Sequence, residues 1–130
     1  MSKYVIVPTQ RVGDITFGMK REDVRKILGT GFEEFKKNIF SKEITDDYGF
    51  CHVYYNGNKE CEAIEFFEED LICDGVNLFK ADLQKLREMF EDLKDDGEGY
   101  YLSNKYSIGI TLDGDRIDGI LVGEKGYYEI

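Results

Sequence analysis

His52 is the only histidine in the chain and it follows Cys51 directly, so the first chemistry to weigh is a thiol nucleophile beside an imidazole base. Neighbouring residues of a strand leave opposite faces of the sheet, which keeps this pair apart. With a single histidine, a histidine-based metal set or a catalytic triad with a spare base is hard to assemble. Cys51, Cys61 and Cys73 lack metal-ligand spacing. An odd number of thiols cannot all pair, and they read as reduced, packed cysteines; a bridge between Cys51 and Cys61, on the two arms of one hairpin, is the pairing geometry would allow. Asp113-Gly114-Asp115 opens like a calcium loop, but Ile117 stands where the next ligand belongs and the later glycine and glutamate are misplaced, so it reads as a turn. Glu65, Glu68, Glu69 and Asp70 could hold a divalent cation weakly or act as paired carboxylates. The preferred reading is an acidic strand end that faces water or a basic partner. None of the fourteen glycines falls in a phosphate-cradling pattern. The sequence therefore assigns no catalytic residue, no metal site and no cofactor.

Charge is more informative. The net charge is −10, yet residues 1 to 42 carry nine Lys/Arg against five Asp/Glu, net +4, and residues 43 to 130 carry eight against twenty-two, net −14. An acidic surface repels phosphate backbones and anionic membranes and speeds encounter with basic partners. Nucleic acid and membrane are thus excluded as expected ligands, and a basic protein partner is favoured. A plainer role for the charge is solubility. With 130 residues, 42% hydrophobic and 34% charged, the chain fits one globular domain, residues 1–130. It has no apolar run near the ~20 residues of a membrane span, and Met1 to Gln10 lacks a signal-peptide pattern, so the expected address is cytoplasmic.

The positioning elements follow from periodicity. A first helix is expected over Met19 to Gly29, with Glu22 and Asp23 in its first turn, Arg25 and Lys26 in its last and Gly29 as the stop. A second is expected over Ala81 to Leu93, from Leu83, Leu86, Phe90 and Leu93. Asn56-Gly57 and Asp113-Gly114 predict two hairpins. Tyr4 to Val7, stopped by Pro8, predicts an edge or first strand, and Gly29 to Asp47 a partly ordered connection. Gly13 with Gly75, Phe17 with Phe79, Ile27 with Met89 and Asn56-Gly57 with Asp113-Gly114 stay in step. Two repeat units, 12–70 and 74–122, therefore stand as candidates, beside the loose self-alignment that any α+β chain shows. The expected fold class is α+β: a twisted, mostly antiparallel sheet of roughly five to eight strands with two main helices on one face. Alternation in the second hairpin, carried to the first, turns Cys51, Val53, Tyr55, Ile64 and Phe66 inward and Phe50, His52, Tyr54, Glu65 and Phe67 outward. Those outward rings are either open to a partner or covered by Leu71-Ile72-Cys73 or by Tyr127-Tyr128-Glu129-Ile130.

Phe17-Gly18-Met19 through Val24, Ile27, Leu28 and Gly29 resembles the Gly-Met-Ser/Thr-x-x-x-Val-x-x-Leu-Leu-Gly helix of small bacterial α/β modules. Those modules are related to the outer-membrane assembly lipoprotein, and the β-lactamase inhibitory protein is a tandem repeat of them. Lys20 stands where the modules place a Ser or Thr cap, and no lipoprotein cysteine occurs near Met1. The acidic, single-domain character is also similar to that of immunity proteins that neutralise bacterial toxins, many of them basic. The expected function is a noncatalytic inhibitor or immunity-type protein, monomeric or homodimeric. Asp46, Asp47, Glu65, Glu68, Glu69 and Asp70 would meet Lys/Arg of the partner, around an apolar centre of Phe50, Tyr54 and Phe67. A small-ligand module or enzyme and a self-associating structural protein are the alternatives.

Overall fold

The computed structural model describes residues 3–36, 43–67 and 69–129. Strands dominate, 47% against 15% helix, and they form two sheets where one of five to eight strands was expected. The elements run β1 (Lys3–Val7), β2 (Arg11–Val12), β3 (Ile15–Thr16), α1 (Arg21–Leu28), β4 (Glu33–Phe35), β5 (Thr45–Asp47), β6 (Cys51–Tyr55) and β7 (Cys61–Phe66). After these come β8 (Asp70–Cys73), β9 (Val76–Asn77), a 3₁₀ turn (Leu78–Lys80), α2 (Leu83–Met89), β10 (Lys94–Asp95), β11 (Tyr100–Ser103), β12 (Ile108–Asp113) and β13 (Arg116–Gly123). The long sheet has the order β10-β11-β12-β13-β7-β6-β5-β4 and the short one β3-β2-β1-β8-β9.

The long sheet reads the same from either edge, and its two middle strands, β7 and β13, are antiparallel, as a two-fold axis through the seam requires. The two hairpins carry one ladder. Cys51, Val53 and Tyr55 pair with Phe66, Ile64 and Cys61; Ile108, Ile110 and Leu112 pair with Val122, Ile120 and Ile117. Each ladder has its bulge at the same step, between Tyr54 and Tyr55 and between Thr111 and Leu112, and a bulge re-aims every side chain beyond it. The seam pairs Ile120–Phe66 and Val122–Ile64 are images of one another under that exchange. Among the strands, β1 lacks a counterpart. Expected at an edge or as a first strand, it lies in the middle of the short sheet, parallel to β8 and antiparallel to β2.

The inward set forms one core. Val53, Ile64, Phe66, Ile110, Ile120 and Val122 gather with Val24 of α1, Leu86 of α2 and Leu71 of β8. Burying each aliphatic or aromatic side chain contributes about 1.5–3 kcal/mol. Both helices are shorter than their apolar spacing predicts. Lys20 offers α1 no side-chain cap, and Gly29 ends it at φ 95° with its N–H donating to the Arg25 carbonyl. Asp82 caps α2 through the Lys85 N–H at 2.8 Å; Phe90 and Leu93 reach the core from just beyond its end.

Asn56-Gly57 does not form the predicted tight turn. The Asn56 side chain accepts from the Asn58 and Glu60 N–H groups, and Lys59 carries the positive φ, 60°. β12 and β13 are joined by the two-residue turn Gly114-Asp115, Gly114 at φ 63°. Cys51, Cys61 and Cys73 are free and buried. Cys51 and Cys61 face Phe66 and Tyr55 across the ladder rather than each other, and burial pushes both thiols up to about 12. No helix among the described residues is long and apolar enough to cross a membrane.

Candidate functional site

The outer face of the long sheet is set by the residues that alternate with the core. On β6 these are His52 and Tyr54, on β7 Ala63 and Glu65, on β12 Gly109 and on β13 Gly119, Leu121 and Gly123. Rings form a row across it. Phe35 of β4 lies 5.1 Å from His52, His52 lies 4.8 Å from Phe67 and 6.3 Å from Tyr54, and at the other end Tyr127 lies 5.2 Å from Tyr128 and Tyr128 lies 6.4 Å from Tyr100. Tyr54, Ala63 and Leu121 make a small second core with Tyr127 and Tyr128.

The two halves complete this ring layer differently. Counted from the matching bulges, His52 and Gly109 hold equivalent places, and so do Phe67 and Gly123. One half supplies the rings from its own strands. In the other, the glycines leave room for Tyr128 and Tyr127 of the C-terminal segment. A Cβ on Gly109 would overlap the hydroxyls of Tyr128 and Tyr100, and one on Gly123 would sit 2.8 Å from the Tyr127 side chain. The Tyr100 and Tyr128 hydroxyls share a short hydrogen bond.

Carboxylates sit among the rings. Glu65 accepts from the Tyr54 hydroxyl at 2.7 Å, and Asp47 Oδ1 lies 3.4 Å from His52 Nε2. Burial raises the Tyr54 phenol, with Glu65 adding to it, and burial pushes Tyr127 up to about 12. The phenols are therefore uncharged donors at neutral pH. Burial, then the nearby Glu60, raises Glu124.

Of the residues expected to meet a partner, Asp47, Glu65 and Phe67 come together here around His52. Asp46 does not. It is 0% exposed and faces the core, where Arg25 donates to it through Nε at 2.8 Å and Nη2 at 2.7 Å and the Tyr55 hydroxyl donates at 3.0 Å. The Asp46 hydrogen bonds raise the Arg25 guanidinium above its ordinary value. Arg25 also reaches Glu34 at 2.7 Å and lies over the Phe32 ring at 4.1 Å, so the cluster ties α1 to β4 and β5. Phe50 precedes β6 in a turn, outside the strand alternation, and stacks on Tyr4 at 6.0 Å against the main core. Tyr54 points outward but is 7% exposed, sealed by the C-terminal segment. Glu69 and Asp70 belong to the passage into the short sheet. Burial raises Glu69, and Asp70 accepts from Asn77 Nδ2 at 2.8 Å. Glu68 lies outside the described residues. Leu71-Ile72-Cys73 belongs to β8, and its Leu71 and Cys73 pack into the main core rather than with Tyr54.

Phe35, Tyr100, Tyr127 and Tyr128 were missed as site residues. A signal was present: Gly109, Gly119 and Gly123 share one face of adjacent strands, and glycine inside a strand marks a close approach by another group. Among the described residues no group of three His, Cys, Asp or Glu could hold a metal ion. Models of known families, curated protein sequences and solved structures give no match to this chain.

Proposed function

We propose that the ring layer and its carboxylates are a docking surface for a basic protein, and that the chain is a noncatalytic inhibitor or immunity-type protein. The observation that carries this reading is Glu65 and Asp47 standing within a row of part-exposed rings, Phe35, His52 and Phe67, on the outer face of an acidic sheet. Rings supply contact area at little entropic cost, and acids select a cationic partner and raise its on-rate. The palindromic strand order and the shared ladder support duplication of one helix-and-meander unit, the architecture that the resemblance to tandem-repeat inhibitors implies. Val24 and Leu86 in a common core support both helices lying on the inner face. Three free, buried thiols support a reducing compartment, the cytoplasm.

The test is binding to the basic product of an adjacent reading frame, followed by stopped flow at several salt concentrations. Phe67→Ala should weaken binding by about tenfold or more, the scale of a central contact. Glu65→Gln should slow association and flatten its salt dependence. Association that ignores salt and both substitutions refutes the reading.

A further inference from the structure

We propose a second docking surface, a groove between the short sheet and the C-terminal end of α1, that takes an acidic peptide segment bearing an aliphatic side chain. Val5 and Ile27 are the exposed large apolar side chains of the described residues, 53% and 43%, and both line this one groove of about 370 Å³. That size sits at the low end for ligand sites and suits side chains of a peptide better than a large cofactor.

Neither residue belongs to the buried core or packs against it. Ile27 occupies the last turn of α1 and is 43% exposed. Met89, the residue in step with it in the second half, is partly buried against the core, so the exposure of Ile27 is particular to the first half. Val5 sits on β1, the strand without a counterpart.

The groove is also flanked by positive charge. Lys3 and Arg11 line it, both are exposed, and neither forms an ion pair with a described residue; Asp14 is the one acid on its wall. In a chain of net −10 this local excess of cations selects an anionic occupant. A long polyanion such as nucleic acid is repelled by the rest of the surface, and Val5 and Ile27 give a base nothing to stack on. An acidic peptide meets both features: its carboxylates reach Lys3 and Arg11 while an aliphatic side chain covers Val5 and Ile27. None of the ring-layer residues takes part, so this surface stands or falls independently of the function proposed above.

The experiment is selection of short random peptides on the immobilised full chain, then anisotropy titration of the enriched peptides. Peptides rich in Asp and Glu with Leu, Ile or Val should be enriched. Their affinity should fall by about tenfold or more in Arg11→Glu and in Ile27→Glu, and stay unchanged in Phe67→Ala. Both groove positions are exposed, and Lys3→Glu, with the smallest structural burden, should show the same direction if either other variant melts early. Enrichment of basic peptides alone, loss of binding through Phe67→Ala instead of the groove variants, or no enrichment overturns the proposal. So does a concentration-dependent dimer in sedimentation that Ile27→Glu abolishes, which assigns the groove to a second copy.

Discussion

Replacing Arg25 with methionine removes the guanidinium, together with its contact over the Phe32 ring, and keeps much of the apolar stem. Asp46, 0% exposed, then retains a single donor, the Tyr55 hydroxyl at 3.0 Å, in place of three. Breaking one side of a buried ion pair costs ~3–5 kcal/mol because the remaining charge stays desolvated. Arg25 is itself 24% exposed, so water can reach the vacated site and the lower end, ~3 kcal/mol, applies. The lost contact to half-exposed Glu34 adds less than about 1 kcal/mol. Against a total stability of ~5–15 kcal/mol this is a large fraction, and at about 3–4 °C per kcal/mol the melting temperature should fall by about 10 °C. Urea unfolding followed by circular dichroism measures the free-energy loss, and thermal unfolding measures the shift in melting temperature. The double variant Arg25→Met, Asp46→Leu should regain most of the loss, since no buried charge remains. A single variant that loses under about 1 kcal/mol, or a double variant no better than the single, refutes the account of Asp46 as an anchor of α1. Were Asp46 a partner contact instead, Asp46→Asn would reduce binding and leave stability alone.

Gly109→Val places a side chain where the Tyr128 and Tyr100 hydroxyls lie, so the C-terminal segment must lift; a loss of about 1–3 kcal/mol and faster amide exchange at Tyr127 are expected, and Tyr128→Ala should restore part of the stability. Unchanged stability and exchange contradict the ring layer's geometry. Glu124 has a folded pKa raised by burial and by Glu60, so it binds its proton more tightly folded than unfolded. Its favourable contribution is present below the unfolded value near ~4.3 and is lost as pH rises through the raised one. Glu124→Gln should therefore be more stable than the parent at pH 7, with the gap closing toward about pH 4; a gap that does not change with pH refutes it.

The period of the apolar residues located both helices to within a few residues and placed Cys51, Val53, Tyr55, Ile64 and Phe66 on the inner face, because burial on one side of a strand or helix is written directly in spacing. Phe50 defeated the same rule because Gly49 and the turn before β6 break the alternation one residue early. Asp46 defeated a different one: counting charges cannot tell a carboxylate facing solvent from one that meets Arg25, twenty-one residues away. The second sheet was hidden because β2, β3 and β9 are two residues each, too short to show alternation. The sequence offers Tyr127 and Tyr128 as one of two covers for the outer rings, but their seat on Gly109 and Gly123 depends on a segment folding back across strands. Only the outward glycines hinted at it.

The seam of the long sheet has a cost during synthesis. β7 is buried at Cys61, Ala63, Ile64 and Phe66, yet its partner β13 is translated about fifty residues later. Until then the nascent first half carries an unpaired, apolar strand edge, the kind that recruits other chains. The pairing that joins the halves must wait for nearly the whole given sequence, which makes folding slow and non-local and leaves the growing polypeptide most open to aggregation just before its middle strand is matched.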